Sequence, residues 1–371
     1  MNTRIVVIAL IATLSGAFAQ LSGEAQRWYT EAQRLQTQAI QTYPKASIDL
    51  PLWSQAAEAA EKAVAAAPNE PQPLRLRAVI YTQVGFWARA ELSWNAYFAA
   101  AGDSDDAARN LMSEVQVNLG YSAYRLEDGA AAEQYFAQAL EFNPDNPQAL
   151  SWRARTLLER GDANAAVPLL ERAVSLNPQD RVARYSLLVA RKSAAFGRQA
   201  TQAFFLGYAA YNQGQRQEAL QAFREATVGA PNFLEAQRMR GRTALELGLG
   251  EEATLAYEIV VKLEGATPEN TFQLGVAREV AQFGAEASRA YRSGYDLYTR
   301  GDKSGAAQAF VTAVTANQQF QKAWAWLGRV RFEMGDFKGA VEAYQRAVQL
   351  DPNDRISAYN LRQAQAKLAG R

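Results

Sequence analysis

Residues 321–354 read QKAWAWLGRVRFEMGDFKGAVEAYQRAVQLDPND. Counted from Gln321, the stretch places Trp324, Leu327, Gly328, Gly335, Ala340, Tyr344, Ala347 and Pro352 at positions 4, 7, 8, 15, 20, 24, 27 and 32. Each residue type has a job in a pair of antiparallel helices. Small side chains at 8, 20 and 27 let two helix axes approach closely, since a larger one would push them apart. Tyr344 fills the gap between the two helices. Gly335 supplies the positive φ that ends the first helix. Pro352 stops the second helix and suits the first turn of the next unit.

The same frame recurs upstream. Ser113–Asn146 carries Leu119, Gly120, Ala132, Phe136, Ala139 and Pro144, and Pro147–Asp180 carries Ala154, Gly161, Ala166, Leu170, Ala173 and Pro178. Ala200–Phe233 carries Leu206, Gly207, Gly214, Ala219, Phe223, Ala226 and Pro231. Leu234–Thr267 keeps Gly241, Gly248, Ala253 and Tyr257, with Gly265 in the proline slot, and Ala287–Phe320 keeps Gly294, Gly301, Ala306, Phe310 and Ala313, with Gln318 there. Pro71–Ser104 has Ala78, Gly85, Ala90, Trp94 and Gly102. A degenerate first unit runs from about Gly23 to Glu70, with Ala56, Ala60, Ala63 and Pro68 in its second helix and a connection stretched over Tyr43–Leu52. These eight units resemble the tetratricopeptide repeat family over nearly all of the chain beyond residue 22. The resemblance implies an all-α fold, a right-handed α-solenoid of helix-turn-helix repeats in which each unit stacks on its neighbours.

A larger period of 87 overlies the 34. Leu119-Gly120-Tyr121-Ser122-Ala123-Tyr124, Leu206-Gly207-Tyr208-Ala209-Ala210-Tyr211 and Ser293-Gly294-Tyr295-Asp296-Leu297-Tyr298 step by that distance. Two repeats use 68 residues and leave 19, namely Arg181–Gln199 and Pro268–Glu286, with Tyr185 and Leu187 matching Phe272 and Leu274. The last residues, Arg355–Arg371, align with them through Tyr359 and Leu361. In the family a helix of this kind caps the last repeat, with an apolar inner face and a polar outer face. Phe196-Gly197 and Phe283-Gly284 read as breaks, because glycine inside a helix costs about 1 kcal/mol relative to alanine. Only Asp105–Met112 separates the second and third repeats. The expected plan is 1–19 signal peptide, 23–104 two repeats, 113–180 a pair, 181–199 a cap-like helix, 200–267 a pair, 268–286 a second cap-like helix, 287–354 a pair and 355–371 a terminal cap.

The signal peptide rests on Arg4, the apolar run Ile5–Leu14 and the small-x-small site Ala17-Phe18-Ala19, with cleavage expected after Ala19. The run is shorter than the roughly 20 apolar residues a membrane span needs, and no later segment is long and apolar enough. Export to the periplasm or the medium is therefore expected, with no membrane span after cleavage. No cysteine follows to make a lipoprotein. The net charge is +1, and the basic residues are spread out, which gives no argument for nucleic acid or an anionic membrane. The chain has no histidine and no cysteine. That removes Ser-His-Asp and Cys-His catalysis, His-ligated zinc and thiolate metal sites. No GxxxxGK[ST] loop occurs. Asp103, Asp105 and Asp106 do not make an EF-hand loop, since Ala108 stands where its glycine belongs. Asp105 or Ser104 reads instead as a helix cap. No enzyme, no metal and no cofactor are expected.

In the resembled family, positions 2, 5, 9, 12 and 13 of the first helix tend to face the concave side, where ligands bind. Position 9 alternates along this chain. It is Tyr121, Tyr208 and Tyr295 in the first repeat of each pair, and Arg155, Arg242 and Arg329 in the second. Position 5 of the first repeats is Val117, Phe204 and Tyr291, and position 13 of the second repeats is Glu159, Glu246 and Glu333. Duplication alone would preserve such residues, yet position 2 has diverged to Glu114, Thr201 and Ser288. The Arg–Glu pairs stand at i, i+4 in the weaker order, worth only about 0.2–0.5 kcal/mol. They read either as ligand-facing or as self-satisfied in solvent. Tyr124, Tyr211 and Tyr298 at position 12 are expected between adjacent helices, Trp324 in the core and Trp326 partly exposed. Trp152 is its equivalent, with Met239 between them in the series. The function implied is an exported scaffold or assembly factor of the cell envelope that holds a protein or extended peptide in the groove. Tyrosines stacking on an envelope glycan, and a self-associating structural solenoid, are the alternatives.

Overall fold

The computed structural model of the chain describes residues 21–102 and 105–370. The expected signal peptide lies outside the described residues. Nineteen α-helices and no strand are found among them. The repeats supply sixteen: α1 (Gly23–Thr42) with α2 (Pro51–Ala66), α3 (Pro71–Gln83) with α4 (Trp87–Ala101), α5 (Asp106–Arg125) with α6 (Gly129–Phe142), α7 (Pro147–Glu159) with α8 (Ala163–Leu176), α10 (Arg198–Asn212) with α11 (Arg216–Gly229), α12 (Leu234–Glu246) with α13 (Gly250–Glu264), α15 (Ala285–Thr299) with α16 (Lys303–Ala316), and α17 (Gln321–Glu333) with α18 (Phe337–Leu350). The others are α9 (Arg181–Phe196), α14 (Pro268–Phe283) and α19 (Arg355–Ala369). The chain forms two compact units, the first reaching Ala194 and the second beginning at Ala195.

Local chemistry sets the helix ends. Asp128, Asp162, Asp302 and Asp336 each accept a hydrogen bond from the backbone N–H three residues on, which caps the second helix of a repeat. Asn146 caps α7, with Pro147 in its first turn, and Asp354 caps α19. Asp105 caps α5 by accepting from the Ala108 N–H at 3.0 Å. α5 runs on without a break, so Asp106–Met112 is the opening of a repeat helix and not a separate cap. No glycine stands between Asp106 and the repeat frame that opens at Ser113. At the two other junctions Gly197 (φ 83) and Gly284 (φ 87) end one helix, and the next starts at once, at Arg198 and Ala285. Both helices thus begin two residues ahead of the repeat frame.

Position 8 meets position 24 inside each repeat of the second unit. A Cβ on Gly207, Gly241, Gly294 or Gly328 would lie 2.7–2.8 Å from the ring of Phe223, Tyr257, Phe310 or Tyr344. Gly120 and Phe136 repeat this in the first unit at 2.7 Å. Each of these rings is buried, and burying such a ring stabilises by about 1.5–3 kcal/mol. In the repeat where position 8 is Ala154, position 24 is Leu170, and the two share one buried cluster.

The cap-like helices lie on the second helix before them. Leu187 and Ala190 of α9 pack on Ala166 and Leu170, Ala277 and Leu274 of α14 on Ala253 and Tyr257, and Ala364 and Leu361 of α19 on Ala340 and Tyr344. Their outer faces are not uniformly polar, contrary to the sequence expectation. Tyr185, Phe272 and Tyr359 are exposed at the same position of each. For Phe272 the reason is visible, since the Arg292 guanidinium from α15 lies over its ring at 5.2 Å.

Every elbow with a glycine at position 15 uses a positive φ there, as at Gly214, Gly301 and Gly335. Between α5 and α6 the position is Glu127, the one non-glycine residue with positive φ (62°) among the described residues. A side chain in that region costs about 1–2 kcal/mol, partly offset by the greater chain entropy that glycine would lose on folding. Glu127→Gly should therefore raise stability by roughly 0.5–1 kcal/mol. A urea midpoint at or below the parent's would contradict this.

Candidate partner-binding site

In the first unit, Tyr121 and Tyr124 stand three residues apart on α5 and share a face. Trp152, Arg155 and Glu159 do the same on α7, at spacings of three and four. The two helices are the first helices of consecutive repeats, and their faces meet. The Trp152 ring lies 5.2 Å from Tyr121 and 5.1 Å from Tyr124, and it stacks on the buried Phe136 at 6.0 Å. The Arg155 guanidinium lies over Trp152 at 5.2 Å and over Tyr124 at 5.1 Å. Glu159 accepts from Arg155 Nε at 3.0 Å and from the Tyr124 hydroxyl at 2.7 Å.

The second unit builds this cluster twice. Across α15 and α17, Trp326 lies 5.1 Å from both Tyr295 and Tyr298 and stacks on Phe310 at 6.1 Å. Arg329 sits over Trp326 at 5.0 Å, and Glu333 accepts from Arg329 Nε at 3.2 Å and from the Tyr298 hydroxyl at 2.8 Å. Across α10 and α12, Met239 replaces the tryptophan. Arg242 lies over Tyr211 at 5.4 Å, and Glu246 accepts from Arg242 Nε at 3.3 Å and from the Tyr211 hydroxyl. Two further cations join here. Arg216 donates to Glu246 and lies over the Tyr211 ring at 3.9 Å, and Lys303 reaches Glu333 at 3.0 Å.

These contacts fix the arginines without hiding them. The carboxylate takes Nε, and no hydrogen bond to the Nη atoms of Arg155, Arg242 or Arg329 occurs among the described residues. Their side chains are 57%, 63% and 51% exposed. Tyr121, Tyr208 and Tyr295 are 42%, 47% and 47% exposed. Burial pushes the Glu246 and Glu333 carboxyls up. Hydrogen bonds from Tyr211 and Arg216, and from Tyr298 and Lys303, outweigh it, and both stay below the usual carboxylate value. The clusters at Glu246 and Glu333 are therefore ion pairs at neutral pH, and all three clusters present a guanidinium edge over an aromatic ring.

A tetratricopeptide repeat model matches residues 206–270 and 291–355, and a second such model matches residues 123–191. These three segments are tetratricopeptide repeats. A curated relative, the heat-shock protein cognate (HSC) co-chaperone sgt12 of Aspergillus fumigatus, is 38% identical over 53 residues, 14% of this chain and 16% of that protein. Among solved structures, a tetratricopeptide repeat protein from Parabacteroides merdae is 12% identical, with a TM-score of 0.33 over 91% of this chain and 99% of that one. YrrB, described as a TPR protein with an unusual peptide-binding site, is 20% identical, with a TM-score of 0.28 over 60% of this chain and 99% of that one. Neither structural likeness is close enough to carry an argument about function.

Within the repeat frame, position 5 needs correcting. Phe204 is 7% exposed and packs on Phe233 with ring centroids 4.8 Å apart, so it fills the core and presents nothing to a partner. Val117 is buried, and Tyr291 is half-buried against Phe320 and Phe310. Trp324 is half-buried rather than in the core, because its indole N–H donates to the Gln318 carbonyl at 3.0 Å. Sequence reasoning missed the tie from Tyr124, Tyr211 and Tyr298 to the glutamates 35 residues on, and it missed Arg216 and Lys303. The signal was available, since 216 and 303 are 87 apart and Gly129 holds the equivalent place in the first cluster. Among the described residues no group of three or more His, Cys, Asp or Glu could hold a metal ion, and no helix is long and apolar enough to cross a membrane.

Proposed function

We propose that this chain is a non-catalytic scaffold that holds a protein or extended peptide on its Tyr–Arg–Glu clusters. The observation that carries the reading is the arginine held by a glutamate over aromatic rings, with its Nη edge free, built three times at a spacing of 87 residues. Locked guanidinium groups lose little freedom on binding, and they suit the carboxylates and carbonyls of a polypeptide. Arginine and tyrosine are also the residues that most often dominate binding energy at protein interfaces. As a structural device the clusters would be weak, since exposed ion pairs contribute about 0–1 kcal/mol.

A variant with Arg155, Arg242 and Arg329 all replaced by alanine should fold normally and lose partner affinity by at least roughly 100-fold. The check is pull-down followed by titration with each retained protein. Full affinity in the triple variant, with its helical content unchanged, would refute the reading. The tryptophan rings are already engaged by phenylalanine, tyrosine and arginine, which favours a polypeptide over a stacked sugar. We place the scaffold in the envelope, exported by residues 1–19. The mature N-terminus should then be Gln20, and a cytoplasmic protein retaining Met1 would refute that placement.

A further inference from the structure

From α10 onward the second unit is two blocks of five helices, α10–α14 and α15–α19, which meet at Gly284. The first block holds α14 firmly. Leu274 and Ala277 join the cluster of Ala253 and Tyr257, Arg278 pairs with Glu258 at 2.9 Å, and Asn270 donates to the Gly265 carbonyl at 3.1 Å. The second block holds α15 in the same way, with Gly294 against Phe310 and Ala287 in the cluster of Ala306 and Phe320. These two buried clusters do not merge among the described residues. The one around Tyr257 contains no residue of α15, and the one around Phe310 takes only Phe283, the last residue, from α14. Phe283 is tied forward, because its ring stacks on Phe320 and its carbonyl accepts from Asn317 Nδ2 at 3.0 Å. Beyond that pivot, the side-chain hydrogen bonds between α14 and α15 all end on one carboxylate among the described residues. Glu279 accepts from the Ser288 hydroxyl at 2.5 Å and from Arg292 Nε at 3.1 Å. The same guanidinium lies over Phe272. Ser288 is buried, and the Glu279 side chain is 14% exposed.

We propose that Gly284 is a hinge between the two blocks and that Glu279 is the latch that holds it closed. A hinge needs a few residues at element ends that absorb a change of φ and ψ. Here one glycine in the left-handed region separates two helices, each packed into its own block. Opening breaks two hydrogen bonds and one cation–π contact, and water can replace the hydrogen bonds. It uncovers little apolar surface, because no buried cluster crosses the joint except at the pivot, and such places are where a fold opens most readily. The latch is strong for its size, since hydrogen bonds to a carboxylate exceed neutral ones. Arg242 stands on α12, before the joint, and Arg329 on α17, after it. Opening therefore alters the separation of the clusters at Glu246 and Glu333, and the unit can present them at two spacings. The hinge itself does not depend on the partner reading above.

The chain has no cysteine, so spin labels can be placed on the full chain at chosen pairs of exposed residues. Gln221→Cys on α11 with Lys338→Cys on α18 spans the joint, and Gln221→Cys with Lys262→Cys on α13 keeps both labels in one block. Pulsed dipolar spectroscopy reads the distance distribution of each pair. The spanning pair should give one narrow distribution in the parent. Glu279→Ala should widen or shift it by about twofold of its parent width, and Arg292→Gln should do so to a smaller extent because the Ser288 bond survives. The pair within one block should keep its distribution in both variants, with helical content unchanged. A spanning distribution that is the same in the parent and in both variants overturns the latch. So does a parent distribution already as wide as that of Glu279→Ala, which would mean a joint that nothing holds. Equal widening of both pairs would mean that the whole unit has loosened, and it overturns the hinge at Gly284.

Discussion

Phe310→Ala should lower the stability of the second unit by about 3–5 kcal/mol, the usual cost of emptying a fully buried aromatic position. Phe310 has no exposed surface. Its ring fills the space left by the missing side chain of Gly294, touches Tyr291 and stacks under Trp326. A cavity at this point lies between two helices held apart at a fixed distance, so it cannot collapse easily. The effect should also reach the site, because Trp326 is the floor on which Arg329 rests. Two compact units need not unfold together, so the shift should be read on the transition of the second. Urea unfolding followed by tryptophan emission measures it, and a loss below 1.5 kcal/mol would show that the ring is not the keystone of its repeat.

Gly250→Ala should cost about 1–3 kcal/mol and loosen α14 from α13. A Cβ at Gly250 would lie 2.2 Å from the Ala281 nitrogen and 2.5 Å from the Val280 carbonyl carbon. These are backbone atoms, so no side chain can step aside and the helix itself must move. The natural control is Gly275→Ala on α14, where a Cβ meets nothing within 4 Å. That change should stabilise by up to about 1 kcal/mol, since alanine is the better helix former. Limited proteolysis near residues 265–284 should quicken in the first variant and slow in the second. Equal behaviour of the two would mean that the contact between α13 and α14 is dispensable.

Much of the architecture was legible because small, aromatic, glycine and proline residues recur at fixed spacing, and each has a purely local meaning. The 34-residue frame located Gly120 against Phe136 and Gly335 at its elbow. The frame could not give the true starts at Arg198 and Ala285, since a glycine in the left-handed region lets a helix restart one residue later. Nor could it show that α5 absorbs residues 106–112, which only the lack of a breaker decides. At the site, periodicity picked out the tyrosines at position 9, the arginines and the glutamates. It misjudged Phe204 because position 5 faces inward onto Phe233, the last residue of the same repeat. The hydroxyl of Tyr211 and the head of Arg216 converge on Glu246 from another repeat. A contact of that kind follows from stacking and is not written in either segment.

The Phe-Gly pairs at 196–197 and 283–284 mark where one block of two repeats and a cap ends and the next begins. Their phenylalanines stack identically, Phe196 on Phe233 and Phe283 on Phe320, each at 4.0 Å and 8°. A segment bounded by two such equivalent joints is interchangeable at both ends. Unequal crossing-over between copies of the underlying gene would therefore lengthen or shorten the array by 87 residues at a time. Each event would add or remove one complete cluster together with the helix that seals its block. A change of 34 residues would instead strand a capping helix on the wrong repeat, so from residue 113 onward the natural step of the array is set by its joints rather than by its repeats.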